Sequence, residues 1–234
     1  SARAVMRTNT TAIAAIMVHR GEADSMICGT FGQYHWHLNY IRQVLARDGL
    51  HPVGALSLMI LEDGPLFIAD TQVNPEPTPH HIMETVIGAA RHVRRFGLTP
   101  KIALCTQSQF GNMDNSAALR MRAALELLDA REPDFCYEGE MNVDSALDQS
   151  LRDRLLPGSR MEGAANVLVF ATTDAAAATR RAGCPPSSPS WPVIRSPMQM
   201  PSSTMVNSRS SFECALPRTF TTAITRLSRL STST

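Results

Sequence analysis

A chain of 234 residues, 44% hydrophobic and 18% charged, has room for one domain, or one and a half, with a real core. No apolar run reaches the roughly 20 residues that cross a bilayer, and no signal-peptide pattern opens the chain, so we expect a cytoplasmic protein without a membrane partner. The net charge of +1 hides a split: residues 1–178 carry 15 Lys and Arg against 20 Asp and Glu, and residues 179–234 carry 7 Arg against 1 Glu, so the first and longer part lacks the basic face that nucleic acid requires. Five scattered cysteines without CxxC spacing read as reduced thiols, not as a disulfide frame or zinc site. Ser1 stands where an initiating Met would, which suggests a fragment.

In chain order, Thr10 to His19 carries Ile13, Ile16 and Met17 behind a Thr cap and ends at Gly21, a short helix. Residues 25–28 form a strand, Gly29 to Gly32 a turn, and His35 to Arg47 a helix through Leu38, Ile41 and Leu45. Residues 55–61 and 66–69 flank Glu62-Asp63-Gly64-Pro65, a hairpin by turn chemistry. Asn74-Pro75 and Pro77 can continue neither strand nor helix, so an irregular loop follows. Thr78-Pro79 then starts a helix striped by Met83, Val86, Ile87, Ala90 and Val93, with Arg91, Arg94 and Arg95 in its last turn and Gly97 after it.

Lys101 to Leu104 is the next strand. A polar loop over 106–115 contains Gly111, and Asn115 or Ser116 caps a helix through Met121, Leu125 and Leu128. Phe135 to Tyr137 is a strand, Val143 to Leu151 a helix, and Asn166 to Phe170 a last buried strand. Alternating strands and helices predict an α/β domain, with a central sheet built from strands near 25–28, 55–61, 66–69, 101–104, 135–137 and 167–170. From about Thr179 the pattern dissolves: Ser, Thr and Pro supply 27 of the last 56 residues. We read 1–178 as one domain and 179–234 as a disordered or out-of-frame tail, the latter because the strand 166–170 is left with little sheet after it.

Histidines supply no metal pattern. His35-x-His37 and the adjacent His80-His81 both lack the i, i+4 spacing that shares one ion, and read as solvated or capping residues. No GxSxG, Walker loop or GxGxxG is present. The polar residues Asn74, Thr78, Thr106, Ser108, Gly111, Asn142, Asp144 and Asn166 fall after strands or at helix starts. Ligands of α/β sheets sit at carboxyl ends of strands, so these eight are the candidate binding residues, in loops 71–78, 106–111 and 139–144. Hydroxyls, amides and helix N-termini suit a phosphorylated or nucleotide-like ligand. No catalytic residue, no metal ligand and no resident cofactor is assigned.

The segments Ala69-Asp70…Val73-Asn74-Pro75-Glu76-Pro77-Thr78, Phe96-Gly97-Leu98-Thr99-Pro100-Lys101, Ser108-Gln109-Phe110-Gly111, Pro133-Asp134-Phe135, Glu138-Gly139-Glu140-Met141-Asn142 and Gly158-Ser159-Arg160…Val169-Phe170 together resemble the phosphate acetyl/butyryl transferases over roughly residues 5–178. Met26-Ile27-Cys28-Gly29-Thr30-Phe31-Gly32-Gln33-Tyr34-His35-Trp36-His37 is similar to the phosphotransacetylase-like C-terminal domain of the large bacterial NADP-dependent malic enzymes. The resemblance implies an incomplete three-layer α/β/α domain with a mostly parallel sheet, of the isocitrate/isopropylmalate dehydrogenase-like phosphotransacetylase fold. It also implies acetyl-CoA or acetyl phosphate as ligand and a homo-oligomer. Two departures weigh against turnover. Gly29 to Tyr34 replaces the family's Gly-Ala-x-His-Ser/Thr-Thr run, and no Asp-Leu-Ser-Arg segment follows Phe170. Both readings stay open here, a regulatory acyl-CoA-binding domain of a malic enzyme and an acetyl-transferring enzyme.

Overall fold

The computed structural model describes residues 8–29, 31–45, 54–61, 64–181 and 222–225. They fall into two compact units, one within 1–51 and 199–234, the other within 52–198.

In the first unit, helix α1 (Thr10–Arg20) precedes strand β1 (Ser25–Cys28) and helix α2 (Tyr34–Leu45). The cap of α1 is Asn9, not a threonine: its side chain accepts from the Ala12 amide at 2.9 Å while Thr10 begins the helix. An Asx side chain outcompetes a hydroxyl for this position when it comes one residue earlier. Gly21, at φ 77°, closes the other end with its amide on the Met17 and Val18 carbonyls. Ala15, Val18, Met26, Cys28 and Ile41 make a small core. Strand β1 pairs antiparallel with a short strand at Thr222–Thr225, so β1 lies outside the central sheet in which the sequence places it.

The second unit holds that sheet. It has five strands in the order β2 (Leu56–Leu61), β3 (Gly64–Ala69), β6 (Val167–Phe170), β4 (Lys101–Cys105), β5 (Cys136–Met141). The β2–β3 hairpin is antiparallel and its turn residues 62–63 lie outside the described residues. Strands β3, β6, β4 and β5 run parallel. The last of these five strands in sequence thus sits in the middle of the sheet, which is why Val167-Leu168-Val169-Phe170 is buried at every position.

Alternation along these strands divides the core in two. Phe67, Ala69, Ile102, Leu104, Val167 and Val169 face helix α3 (Pro79–Arg95), through its Ile82, Met83, Val86, Ala90 and Val93, and helix α4 (Ser116–Asp129), through Met121, Leu125 and Leu128. Residues one step out of phase, Leu66, Ile68, Ala103, Cys105, Leu168 and Phe170, face Ala146, Met161 and Ala176. Each fully buried aliphatic or aromatic side chain contributes about 1.5–3 kcal/mol, so the α3 stripe alone outweighs any polar contact in the unit.

The helix expected over 143–151 is two helices, α5 (Val143–Leu147) and α6 (Gln149–Leu155). Asp148 breaks them apart: it is extended and its carboxylate caps the Ser150 and Leu151 amides. Helix α6 is pinned by Arg152, a wholly buried arginine. Its guanidinium donates to the carbonyls of Ser145, Ala146, Met161 and Gly163 at 2.7–3.4 Å, and to the Ser159 hydroxyl. Of the segment 179–234, residues 179–181 complete helix α7 (Thr173–Arg181) and 222–225 form β7; the remainder lies outside the described residues. Among the described residues no helix is long and apolar enough to cross a membrane.

Candidate functional site

The parallel strands deliver four loops to one edge of the sheet, and hydrogen bonds link them side by side. After β3, Asp70 adopts a left-handed φ of 48°, which turns the chain back over its own side chain. Its buried carboxylate accepts from the Val73 amide at 2.9 Å, the Asn74 amide at 3.2 Å and the Asn74 side chain. Burial pushes the Asp70 carboxyl above its ordinary value, with Asn74 and the backbone donors pulling the other way. The same loop is tied to the end of β6: the Thr173 hydroxyl donates to the Asn74 carbonyl at 2.8 Å and the Thr173 amide to the Pro75 carbonyl at 3.3 Å. Arg120 of α4 donates to the Ala171 carbonyl at 3.0 Å, so its guanidinium stands beside the carboxyl end of β6.

The loop after β4 folds round Glu140, which is buried on β5. One Glu140 oxygen accepts from the Ser108 hydroxyl at 2.6 Å and the Gly111 amide at 3.0 Å, and lies 3.7 Å from the Arg122 guanidinium. Phe110 reaches φ 47° and donates its amide to the Glu140 carbonyl at 2.7 Å. Gly111, at φ 88°, adopts a left-handed backbone that a side chain would strain. Thr106 holds the loop's other strand, accepting from the Ser108 amide at 2.9 Å, while its own amide bonds the Met141 carbonyl. The Asn142 amide nitrogen reaches the Thr106 and Gln107 carbonyls at 2.9 and 2.8 Å, and Gln109 donates to the Ser145 hydroxyl at 2.6 Å. Asp144 caps the Ser145 amide and its charge faces the Cys105 thiol, which burial first and Asp144 second push far above the usual thiol range. That thiol stays protonated and unreactive.

Seven of the eight residues singled out in the sequence therefore gather at this edge, and one does not. Asn166 precedes β6, at the amino end of the strands. There its side chain accepts from the Lys101 amide and donates to the Thr99 carbonyl, both at 2.8 Å, so it seals the sheet's opposite edge. Within the seven, roles divide by exposure. Ser108 is fully buried and its hydroxyl is committed to Glu140, so it shapes the loop and faces no solvent. Asn74 spends its side chain on Asp70. Thr78, exposed, caps α3 through the His81 amide at 3.2 Å. Gly111 is exposed, and Thr106, Asn142 and Asp144 are half-buried at the rim.

Asp70, Glu140, Arg120 and Arg122 were not singled out in the sequence. The two carboxylates carry the loops, and a signal for them existed: an acidic residue directly after a buried strand, as Asp70 is, or next to last in one, as Glu140 is, must find donors or a cation there. The histidines diverge from the solvated reading at one position. His37 is buried, with Nε2 donating to the Phe31 carbonyl and Nδ1 on the Thr11 hydroxyl, each at 2.7 Å, and Cys28 hydrogen-bonds the same threonine. These contacts bind α1, β1 and α2 of the first unit together. Among the described residues no three His, Cys, Asp or Glu side chains cluster to hold a metal ion. A cleft of about 230 Å³ between α3 and the turn before β5, floored by Ile87, Ala90 and Phe135 and rimmed by Arg91, Arg94 and Arg131, lies away from the loop edge.

Comparison with known proteins bears on the family and the fold. The pattern of the phosphate acetyl/butaryl transferase family matches residues 1–182. The chain is 48% identical over 176 residues to the NADP-dependent malic enzyme of Salmonella typhimurium and 45% identical over 177 residues to the NAD-dependent malic enzyme of Rhizobium meliloti. In both cases the match covers 75% of this chain and 23% of the relative. It is 30% identical over 164 residues to the phosphate acetyltransferase of Synechocystis, covering 70% of this chain and 24% of that one. The chain thus spans about a quarter of the length of these relatives. A phosphotransacetylase from Streptococcus pyogenes shares the fold, with a TM-score of 0.68 at 22% identity over 74% of this chain and 54% of that one.

Proposed function

Because the chain belongs to the phosphate acetyl/butaryl transferase family, we propose that it is an acyl-CoA- or acyl-phosphate-binding domain of the regulatory kind, from the C-terminal part of an NADP-dependent malic enzyme. In this reading the malate-oxidising chemistry belongs to another part of the parent chain, the fold is a partial three-layer α/β/α domain of the isocitrate/isopropylmalate dehydrogenase-like type, and the domain works in the cytoplasm as a homo-oligomer. The identity to two of the malic enzymes, 48 and 45%, exceeds that to a phosphate acetyltransferase, 30%, over a similar length.

One observation carries the ligand class. The loop edge pairs prebuilt backbone turns with two arginines at the start of α4, Arg120 beside the end of β6 and Arg122 beside Glu140. Exposed Thr78 and Gly111 and half-buried Asn142 lie on the same edge. A planar guanidinium with hydroxyl, amide and backbone donors around it suits phosphate oxygens. Transition-state stabilisation asks for more, an oxyanion donor aimed at the reacting group, and no Asp-Leu-Ser-Arg segment like the family's follows Phe170. Binding without turnover is the consequence.

Two measurements test this. Acetyl-CoA at millimolar concentration should raise the melting temperature, and Arg120→Ala should reduce the rise while the unliganded melting temperature changes little. Acetyl phosphate plus CoA should yield no acetyl-CoA above background. Robust turnover would establish the transferase reading instead, and no thermal shift with either ligand would remove the binding one.

A further inference from the structure

The cleft of about 230 Å³ between α3 and the turn before β5 changes character from its floor to its mouth. On α3, Ile87, Ala90, Arg91 and Arg94 fall at i, i+3, i+4 and i+7, so helical spacing sets them in one stripe that begins apolar and ends cationic. Pro133 and Phe135 form the facing wall. They precede Cys136, the first residue of β5, so the cleft lies at the amino end of the parallel strands, opposite the loops after β3 and β4. The Phe135 ring is held edge-on against Tyr137, with ring centroids 6.1 Å apart.

Three guanidiniums rim this cleft, and two of them are already placed. Arg94 donates to the Asp134 carbonyl at 2.9 Å and meets the Asp134 carboxylate at 3.0 Å, while Arg131 meets Glu84 at 3.2 Å. Ion pairs at the surface add little stability. Their effect here is positional, because each holds a planar fork at the mouth with N–H groups to spare. The Arg91 guanidinium makes no hydrogen bond or ion pair with any described residue. Among the groups that line the cleft and the partners they hold, three guanidiniums face two carboxylates, Asp134 and Glu84. One positive charge, on Arg91, is left without a counterion beside an apolar floor.

We propose that the cleft binds a small organic monoanion, a carboxylate on an aromatic or branched apolar body, with its carboxylate on Arg91 and its body against Ile87, Ala90 and Phe135. Size, charge and surface each narrow the choice. The volume is below the roughly 300–1,000 Å³ of pockets that take drug-sized ligands, so a coenzyme A is too large for it. A single carboxylate cancels the one uncompensated charge and matches the guanidinium fork. A phosphate dianion would overshoot that charge next to Asp134, and an inorganic anion would leave Ile87 and Phe135 in contact with water. This site is separate from the loop edge, and the inference does not rest on the acyl-CoA reading.

Benzoate is the probe, and benzyl alcohol and inorganic phosphate carry the two halves of its chemistry singly. In amide NMR spectra of the full 234-residue chain, millimolar benzoate should shift residues 87–94 and 131–135 and leave 106–113 in place, and neither control should do so at equal concentration. Arg91→Glu reverses the free charge without removing an ion pair. It should raise the benzoate Kd about ten-fold or more with an unchanged circular dichroism spectrum, and Arg91→Lys should raise it less. The thermal shift with acetyl-CoA should be the same in Arg91→Glu as in the unsubstituted chain, so the two sites fail separately. An equal response to either control overturns the ligand class. Benzoate binding that Arg91→Glu does not weaken overturns the role of Arg91. Shifts absent from 87–94 and 131–135 at tens of millimolar overturn the site, and a cleft filled by another segment of the chain gives that same result.

Discussion

The loop after β3 and the loop after β4 each fold round a buried carboxylate, Asp70 in one and Glu140 in the other. Both carboxylates gather backbone amides and a side-chain donor. Glu140 also has the Arg122 guanidinium at 3.7 Å, whereas Asp70 has no cation near it among the described residues. Burying a carboxylate costs several kcal/mol unless charge and hydrogen bonds offset the loss of water. Glu140 receives both kinds of compensation. Asp70 receives hydrogen bonds alone, and its carboxyl is correspondingly pushed up by burial. Two neighbouring loops on one edge are thus held by the same device at different electrostatic settings. The β4 loop should behave as a fixed wall of the site, and the β3 loop as the part that responds to protons.

Removing Glu140 should break that contrast most severely. Glu140→Ala leaves the Ser108 hydroxyl and the Gly111 amide without their acceptor and Arg122 without its buried partner. The expected loss is about 3 kcal/mol, read from urea unfolding midpoints at constant m-value. Asp70→Ala should cost less, about 1–2 kcal/mol. It too orphans backbone donors, but it also removes a buried charge that has no counterion. If the two losses are equal, or their order is reversed, the counterion does not distinguish the loops.

Ser108→Ala sharpens the comparison further. It deletes the shortest bond to Glu140 but leaves Gly111 and Arg122 in place. The expected cost is about 1 kcal/mol, with amide exchange accelerated across 106–113 and not across 70–78. Exchange accelerated in both loops would mean that they open together.

The sequence made the parallel strands and the α3 stripe legible because burial and period coincide there. Met83, Val86, Ala90 and Val93 recur at helical spacing and are all buried. Loop positions 74, 78, 106, 108, 111, 142 and 144 were legible through the rule that α/β sheets present loops at strand carboxyl ends. Their roles were less so. Ser108 and a ligand-facing serine have the same local sequence; what separates them is Glu140, a residue 32 positions away that claims the hydroxyl. Asn166 was misplaced because it opens the strand expected over 166–170 and so stands at its amino end, where the rule for carboxyl ends does not apply; the register of Val167 with Ile102 agrees. Strand β1 was assigned to the main sheet on apolar content, and its partner, β7, comes from a Ser- and Thr-rich stretch without a strand signature. The break at Asp148 turned on a carboxylate capping two amides, a local competition that an apolar stripe does not report.

The smallest expected effect concerns protons. The folded-state pKa of Asp70 is raised above its unfolded value of about 3.9, so the folded chain binds this proton more tightly than the unfolded one. Stability from this group therefore falls as pH rises from about 4 through the raised folded value, and rises on acidification through the same window. Asp129, held below the usual carboxylate range by the Tyr137 hydroxyl and then by Arg160, has the opposite slope, as does Asp148 with its cap to Ser150. The net pH profile of the unsubstituted chain mixes these contributions. Asp70→Asn removes only the first. The stability of the unsubstituted chain relative to Asp70→Asn should therefore increase as pH is lowered from about 6 toward 4, in urea melts at fixed ionic strength. A variant difference that is flat across that window would mean that the donors around Asp70 compensate its burial fully. The β3 loop would then be as indifferent to protons as a loop with a counterion, and the contrast with Glu140 would rest on geometry alone.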